Sequence, residues 1–414
     1  NGTFYSKGIY KLQIRGLHIK ALDASYMQVI RLEGVADDIE IESNTLEAKY
    51  VNGSSFEQAV LYNAVSNGHS ENCSVRYNTI LNGAYGIHWS GTTSGIRESG
   101  NEFSNNTISG WNRTGIYIYY QDAVKINNNT IRDNGTTTFA YSIEGNYLQE
   151  NTEISKNDIV NTAQGLSYGM RLQFLKGTTS NRITIENNSV SLLYTGGSAS
   201  YGLYIRYMRN TDLVHNSVMV SGNSATNSRA LEYNGTGSYV NNVVKNNVFV
   251  NKSIGYAASV DAFGVTANNL TNMDNNCWFT NGANIASWNN VTYSSLENWK
   301  AVSLKDTNSV SVNPHFESDS VLKPQSFLMA NIGKGGLANN DIQGNSRDAT
   351  ASDAGAYEYD HPIPAPDYGD STGSGRALDF LASSNQNVQV PHSNDLDATS
   401  ELTIAGWIYP TATG

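Results

Sequence analysis

The sequence predicts an all-β chain folded as a solenoid of short parallel strands, and three observations carry that prediction. The first is a phrase that returns between Ile39 and Phe279: alternating apolar residues, an Asn, a small or polar residue, then another apolar one. Its copies sit at Asn44, Asn78, Asn106, Asn129, Asn157, Asn188, Asn216, Asn247 and Asn276, so successive copies lie 34, 28, 23, 28, 31, 28, 31 and 29 residues apart. The second is that the intervals hold strand-like alternation and no helical pattern; such a period marks a stacked solenoid, here of roughly ten coils. The third is composition. Charged residues make up only 15% of the chain, while Asn, Ser, Thr, Gly and Tyr are plentiful, as in β-rich extracellular proteins.

The repeated Asn has a physical role in such a stack. Each strand pairs with the coils above and below at about 4.8 Å. An inward Asn at a tight bend can then bond its amide to the same Asn one coil on, or to the turn backbone. Turn preference alone does not explain why an apolar residue always follows two positions later. A ladder of nine asparagines does.

Taken in order, residues 1–35 hold an early coil, with Leu12, Ile14, Leu17 and Ile19 alternating before Val29-Ile30-Arg31-Leu32. No amphipathic helix precedes this coil to cover its edge, so further chain and an export signal are expected upstream. From about 36 to 280 every repeat has a short strand before the Asn bend, a variable loop, and a second strand usually begun by Gly. Those second strands are Gly86–Ser90, Gly115–Tyr119, Tyr141–Glu144, Gly169–Gln173, Gly202–Arg206 and Ala230–Tyr233. Side chains alternate across a strand, which points Ile, Leu, Met and Trp inward. His88, Ser90, Tyr117, Tyr119, Ser142, Glu144, Arg171, Gln173, Tyr204, Arg206 and Glu232 are left facing outward.

Stacking arranges that outward set in two columns on one flat face. Tyrosine faces can meet sugar rings, while Arg, Glu, Gln and His supply directional hydrogen bonds. An extended polysaccharide or cell-surface glycan is the partner such a face suits. The substrate-binding candidates are His88, Tyr117, Tyr119, Glu144, Arg171, Gln173, Tyr204, Arg206 and Glu232. The competing explanation is a set of cross-strand pairs that only stabilise the sheet. The loops 134–139, 192–200 and 222–227 are expected to wall this face.

After Trp278 the pattern changes. Ser294 and Glu297 have capping-box spacing for a short helix. Then come Ser311–Phe316, Asp341–Arg347 and the ending Asp353-Ala354-Gly355-Ala356-Tyr357-Glu358-Tyr359. This ending, with the Asn repeats, resembles secreted bacterial right-handed parallel β-helix proteins of the pectin-lyase-like group, which includes polysaccharide lyases and surface proteins. The resemblance implies a right-handed, single-stranded parallel β-helix over residues 1–359, with a C-terminal capping region from about 291. It also implies a secreted or cell-surface, bacterial location. Residues 360–375, with their prolines and glycines, read as a linker. Ala377–Phe380, Val388–Pro391 and Glu401–Pro410 resemble the opening strands of a laminin-G-like, concanavalin-type jelly roll, so 376–414 is expected to be the N-terminal part of a second domain in a longer multidomain chain. Jelly rolls of that type commonly bind glycans and calcium. Calcium therefore stands as the implied cofactor, with no residue assigned to it.

The formal net charge of −11 argues against a nucleic-acid or anionic-membrane partner. No apolar run is long enough to span a bilayer, and no metal-ligand spacing occurs. Cys73 and Cys277 lie seven repeats apart, so they are expected as two free, inward-facing thiols. Gly165-Leu166-Ser167-Tyr168-Gly169 matches the nucleophile-elbow pattern, but it opens a repeat strand and lacks the strand-to-helix turn that motif needs. Two functions remain. One is a non-catalytic, adhesive glycan-binding module of a bacterial surface protein. The other is a polysaccharide lyase or hydrolase, in which Arg171 or Arg206 would neutralise a uronate carboxylate and Tyr204 or His88 would take the proton.

Overall fold

The computed structural model describes residues 4–359, except 24, 65–68, 93–96, 134, 136–138, 194–197, 223–225, 236–239 and 261–271. The expected linker and jelly roll lie outside the described residues, as do large parts of the three expected wall loops.

The chain is a right-handed parallel β-solenoid with three sheets. Sheet A runs from Phe4–Tyr10 through Ile30–Asp37, Ala59–Ala64, Tyr85–Ser90, Thr114–Asp122, Phe139–Gln149, Leu166–Lys176, Ser200–Arg209, Arg229–Asn234 and Tyr256–Val260 to Ala286–Trp288. Sheets B and C hold ten strands each, from Gln13–Arg15 to Asn272–Asp274 and from His18–Lys20 to Cys277–Thr280. All neighbours in B and C pair in parallel, and the repeat register is regular: Ile41, Val75, Phe103, Ile126, Ile154, Ile185, Leu213, Val244 and Met273 follow one another up sheet B. These residues fill the interior with the matching Ile, Val and Phe column of sheet C.

A fixed backbone device makes the bend between sheets B and C. The residue before each ladder Asn is left-handed: Ser43, Tyr77, Asn105, Asn128, Lys156, Asn187, His215, Asn246 and Asn275 have φ between 54° and 57°. The Asn then satisfies the bend. Asn157 Oδ1 accepts from the Asn129 amide (3.1 Å) and Asn129 Nδ2 (3.0 Å), while Asn157 Nδ2 donates to Ile126 O (2.7 Å) and Asn188 Oδ1 (2.9 Å). The same pattern runs without a break from Asn44 to Asn276. It ends where the Asn276 amide donates to Ser309 Oγ and its Nδ2 to Asp306.

The glycines that begin sheet A strands also have a steric cause. A Cβ on Gly202 would lie 2.2 Å from Val218 Cγ1 and 2.6 Å from the Ala230 carbonyl oxygen. Only small residues fit this inward column, which explains why Ser142 and Ala230 occupy it elsewhere. Ser142 is thus buried, accepting from Asn161 Nδ2, and not outward as the alternation suggested.

The helix spans Leu296–Ser303 and is capped by Ser295, whose side chain accepts from the Asn298 amide; the Ser294–Glu297 pairing does not form. Beyond it Asp306 is buried, accepting from Trp278 Nε1 (3.0 Å) and Trp299 Nε1 (2.8 Å). The segment to Tyr359 then packs on the outside of sheet C. Phe316, Leu322, Met329, Ala354 and Tyr357 cover Met219, Val248, Val250 and Cys277. Both cysteines are free and buried. Cys73 belongs to the interior, but Cys277 points out of the coil and is covered by this segment, because Trp278 takes the inward position of that strand.

Candidate functional site

The outer face of sheet A carries three columns of side chains, read directly from the strand register. The central one is Arg31, Tyr62, His88, Tyr117, Glu144, Arg171, Tyr204, Glu232 and Ser259. Beside it run Ser90, Tyr119, Asn146, Gln173, Arg206 and Asn234. On the other side run Tyr85, Thr114, Tyr141, Tyr168, Tyr201, Arg229 and Tyr256. The nine candidate binding residues fall in the first two columns. The third column was missed because its residues precede the small residue at each strand start, where the simple alternation is broken. Asn146 was missed because the sequence reading stopped that strand at Glu144, whereas it continues to Gln149.

Ring stacking dominates the surface. Tyr141–Tyr168 and Tyr168–Tyr201 each stack with centroids 5.0 Å apart, and the Arg229 guanidinium continues the pile between Tyr201 and Tyr256. A second pile, Tyr120–Tyr147–Phe174–Tyr207, has spacings of 4.8, 4.6 and 4.8 Å. All four of its members are left-handed, with φ of 52–58°, a backbone state rarely taken by aromatic residues. The piles stand on either side of the polar columns. The ring faces in each pile lie against one another. The tyrosines expected to meet sugar rings are in neither pile: Tyr117 stacks between His88 at 4.6 Å and Tyr119 at 4.8 Å, and Tyr204 stands edge-on to its neighbours.

His88 is displaced from the role expected of it. Its ring stacks between Tyr62 and Tyr117 and lies under Phe56, whose centroid is 4.4 Å away, leaving His88 3% exposed. Burial lowers its pKa to about 4, so the ring is neutral and shielded. Arg171 donates to Glu144 at 2.6 Å. Burial raises the Glu144 pKa, opposed by Arg171 and Arg113. The Arg113 guanidinium stacks on Phe139 at 4.1 Å and on Tyr141 at 5.0 Å. One end of the floor thus joins a carboxylate to two guanidinium groups.

The other end repeats the motif. Arg229 pairs with Glu232 at 2.8 Å. Tyr204 stands edge-on to Tyr168 and Tyr201, with the Arg206 guanidinium 4.9 Å over its ring. Arg206 Nε is buried without a hydrogen-bond partner among the described residues. Burial raises the Tyr204 phenol, opposed by Arg206, and this disfavours the phenolate a catalytic base would need. Glu144 and Glu232 are three coils apart, too far to act as a hydrolytic carboxylate pair.

Ser167 is buried in a strand with its Oγ 3.1 Å from Ser200 Oγ, which is no nucleophile elbow. Among the described residues no three His, Cys, Asp or Glu side chains converge to hold a metal ion, and no helix is long and apolar enough to cross a membrane.

Residues 58–228 match the family model described as the right handed beta helix region, which spans most of the columned face. The A-module of mannuronan C-5 epimerase AlgE6 from Azotobacter vinelandii is a similar solved structure, with 12% identity, a TM-score of 0.37, and coverage of 74% of this chain and 92% of that chain. No curated protein matches.

Proposed function

We propose that the outer face of sheet A, from Tyr117 to Glu232, binds an extended polysaccharide, and that the chain serves as a non-catalytic, adhesive module of a secreted bacterial surface protein. The observation that carries this reading is the register. It lines up Glu144, Arg171, Tyr204 and Glu232 beside Asn146, Gln173 and Arg206 at a constant step along one axis. A repeating polymer laid along that axis meets a repeating row of donors and acceptors. Hydroxyl edges, amides and guanidinium groups are the groups that read sugar hydroxyls.

The catalytic alternative is less well supported. A lyase needs an uncommitted cation beside an accessible base. Arg171 is engaged by Glu144; Arg206 lies over the Tyr204 ring without a carboxylate partner among the described residues, but neither candidate base is available, since His88 is covered and the Tyr204 phenol is held protonated. The test is retention on a panel of immobilised polysaccharides, with soluble products followed by ultraviolet absorbance and reducing ends. Retention without products, weakened at least several-fold by Tyr204→Phe with Gln173→Ala, supports the binding reading. Product formation would replace it with the enzymatic one, and retention indifferent to both substitutions would remove this face from consideration.

A further inference from the structure

The polar row on the outer face of sheet A stops short of the sheet itself. Three strands lie beyond Tyr85–Ser90 on its N-terminal side: Ala59–Ala64, Ile30–Asp37 and Phe4–Tyr10. Their part of the central column is taken up locally. Arg31 donates to Glu33 Oε1 (2.6 Å) and Gln28 Oε1 (3.0 Å), and its guanidinium lies 5.4 Å from the centre of the Tyr62 ring. Tyr62 in turn stacks on His88.

Phe56 marks the boundary, and it comes from the segment before Ala59–Ala64, not from the sheet. Its ring lies over the column, with its centroid 4.4 Å from His88, 5.2 Å from Tyr85 and 5.7 Å from Tyr117. Phe56 is 44% exposed where the His88 it covers is buried. The ring is therefore a step that rises from the face. A polymer laid along the column from Glu232 through Tyr204, Arg171 and Glu144 runs into it just past Tyr117.

This step is braced on both sides. Phe56–Gln58 forms one 3-10 turn, whose Glu57 amide donates to Ser55 Oγ. On one side the Glu57 carbonyl accepts from the Met27 amide at 3.0 Å. On the other, the Gly53 carbonyl accepts from Asn112 Nδ2 (2.9 Å), that of Ser54 from Tyr85 Oη (3.3 Å), and that of Gln58 from the Ala84 amide (2.8 Å). Swinging the ring aside would break several of these bonds together.

We propose that Phe56 is an end stop, so that the face binds the terminus of a polysaccharide chain and not its internal stretches. This rests on the glycan-binding role proposed for the same face and specifies how the polymer sits there. Glu144 and Glu232 are three register steps apart, about 14 Å at about 4.8 Å per step, a length that suits a short terminal segment. The exposed part of the Phe56 ring gives the last sugar an apolar surface to meet.

The test counts bound protein molecules per polysaccharide chain. The probes are alginate, polygalacturonate, carrageenan and a linear β-glucan, each intact and in several narrow length fractions. For a polymer that binds, one protein per chain is expected at every length. A bulky label on the reducing end then identifies the end held: lost binding assigns the reducing end to the stop, and full binding assigns the other. Phe56→Ala should let several proteins bind each chain, in numbers that rise with length, while Phe56→Tyr keeps one. The proposal fails if the parent protein already binds in proportion to chain length, or if Phe56→Ala, with a parent-like melting curve, still binds one per chain. The parent count decides the matter even where the alanine variant does not fold. Length-proportional binding that is weakened by Tyr204→Phe with Gln173→Ala would leave the glycan face standing while refuting the stop. No binding to any of the four polymers would refute both.

Discussion

Single residues show how burial decides what each polar group can do. Glu98 is fully buried inside the solenoid, where Oε2 accepts from Trp89 Nε1 at 2.7 Å and Gln121 Nε2 at 2.8 Å and Oε1 accepts from the Ser70 amide. Burial nevertheless outweighs these donors and raises its pKa to about 7. The folded state therefore binds the carboxyl proton more tightly than the unfolded state. The stabilisation is complete below the ordinary carboxylate range and is lost as pH rises through about 7. Glu98→Gln should flatten this part of the pH–stability curve, an effect on the order of 3 kcal/mol between pH about 4.5 and 7. Denaturant titrations at the two pH values check it, and an equal slope in parent and variant would show that Glu98 is not the titrating group. The contrast with His88 is instructive: burial drives both groups toward neutrality, by raising one pKa and lowering the other.

At the scale of the element, the repeating unit is a strand, a left-handed residue, an Asn and a second strand. Each ladder Asn uses both its carbonyl oxygen and its amide nitrogen in buried hydrogen bonds. Removing one side chain strands the donors of the Asn before it and the acceptor of the Asn after it. Asn157→Ala is predicted to cost about 2–4 kcal/mol, read as a lower unfolding midpoint. A cost near zero would mean that water or backbone shifts replace the ladder. This unit was the most legible part of the sequence, because an Asn with an apolar residue two positions later meets one physical demand at every coil. The left-handed residue before it was only partly legible: Asn105, Asn128, Asn187, Asn246 and Asn275 suit that state, but Ser43, Tyr77, Lys156 and His215 share no chemistry. The Ser295 cap was misplaced by one residue for a similar reason: two serines stand side by side, and only backbone geometry chooses between them.

For the molecule as a whole, the stacking axis turns distant positions into neighbours, and the C-terminal segment fastens across several coils. Arg347 is its anchor. Its guanidinium donates to Glu358 (3.0 Å), Asn187 Oδ1 (2.7 Å) and the carbonyls of Asp353 (3.2 Å) and Gly355 (2.8 Å). Arg347→Met would leave these buried acceptors unmatched, at a cost of about 3–5 kcal/mol. Limited proteolysis should then cut between residues 316 and 359 before the coils unfold; unchanged resistance there would contradict the anchoring role. The candidate site was only half legible at this scale. Alternation put Arg171, Tyr204, Arg206 and Glu232 on one surface, but it could not show that Phe56 would cover His88 or that tyrosines would stack face to face, because both depend on neighbouring coils. Covalent footprinting of arginines with and without a retained polysaccharide tests the glycan face most directly. Arg171 and Arg206 should become protected while Arg15 and Arg182, on sheet B or beside it, react as before. Protection of Arg15 and Arg182 with Arg171 and Arg206 left reactive would contradict the assignment.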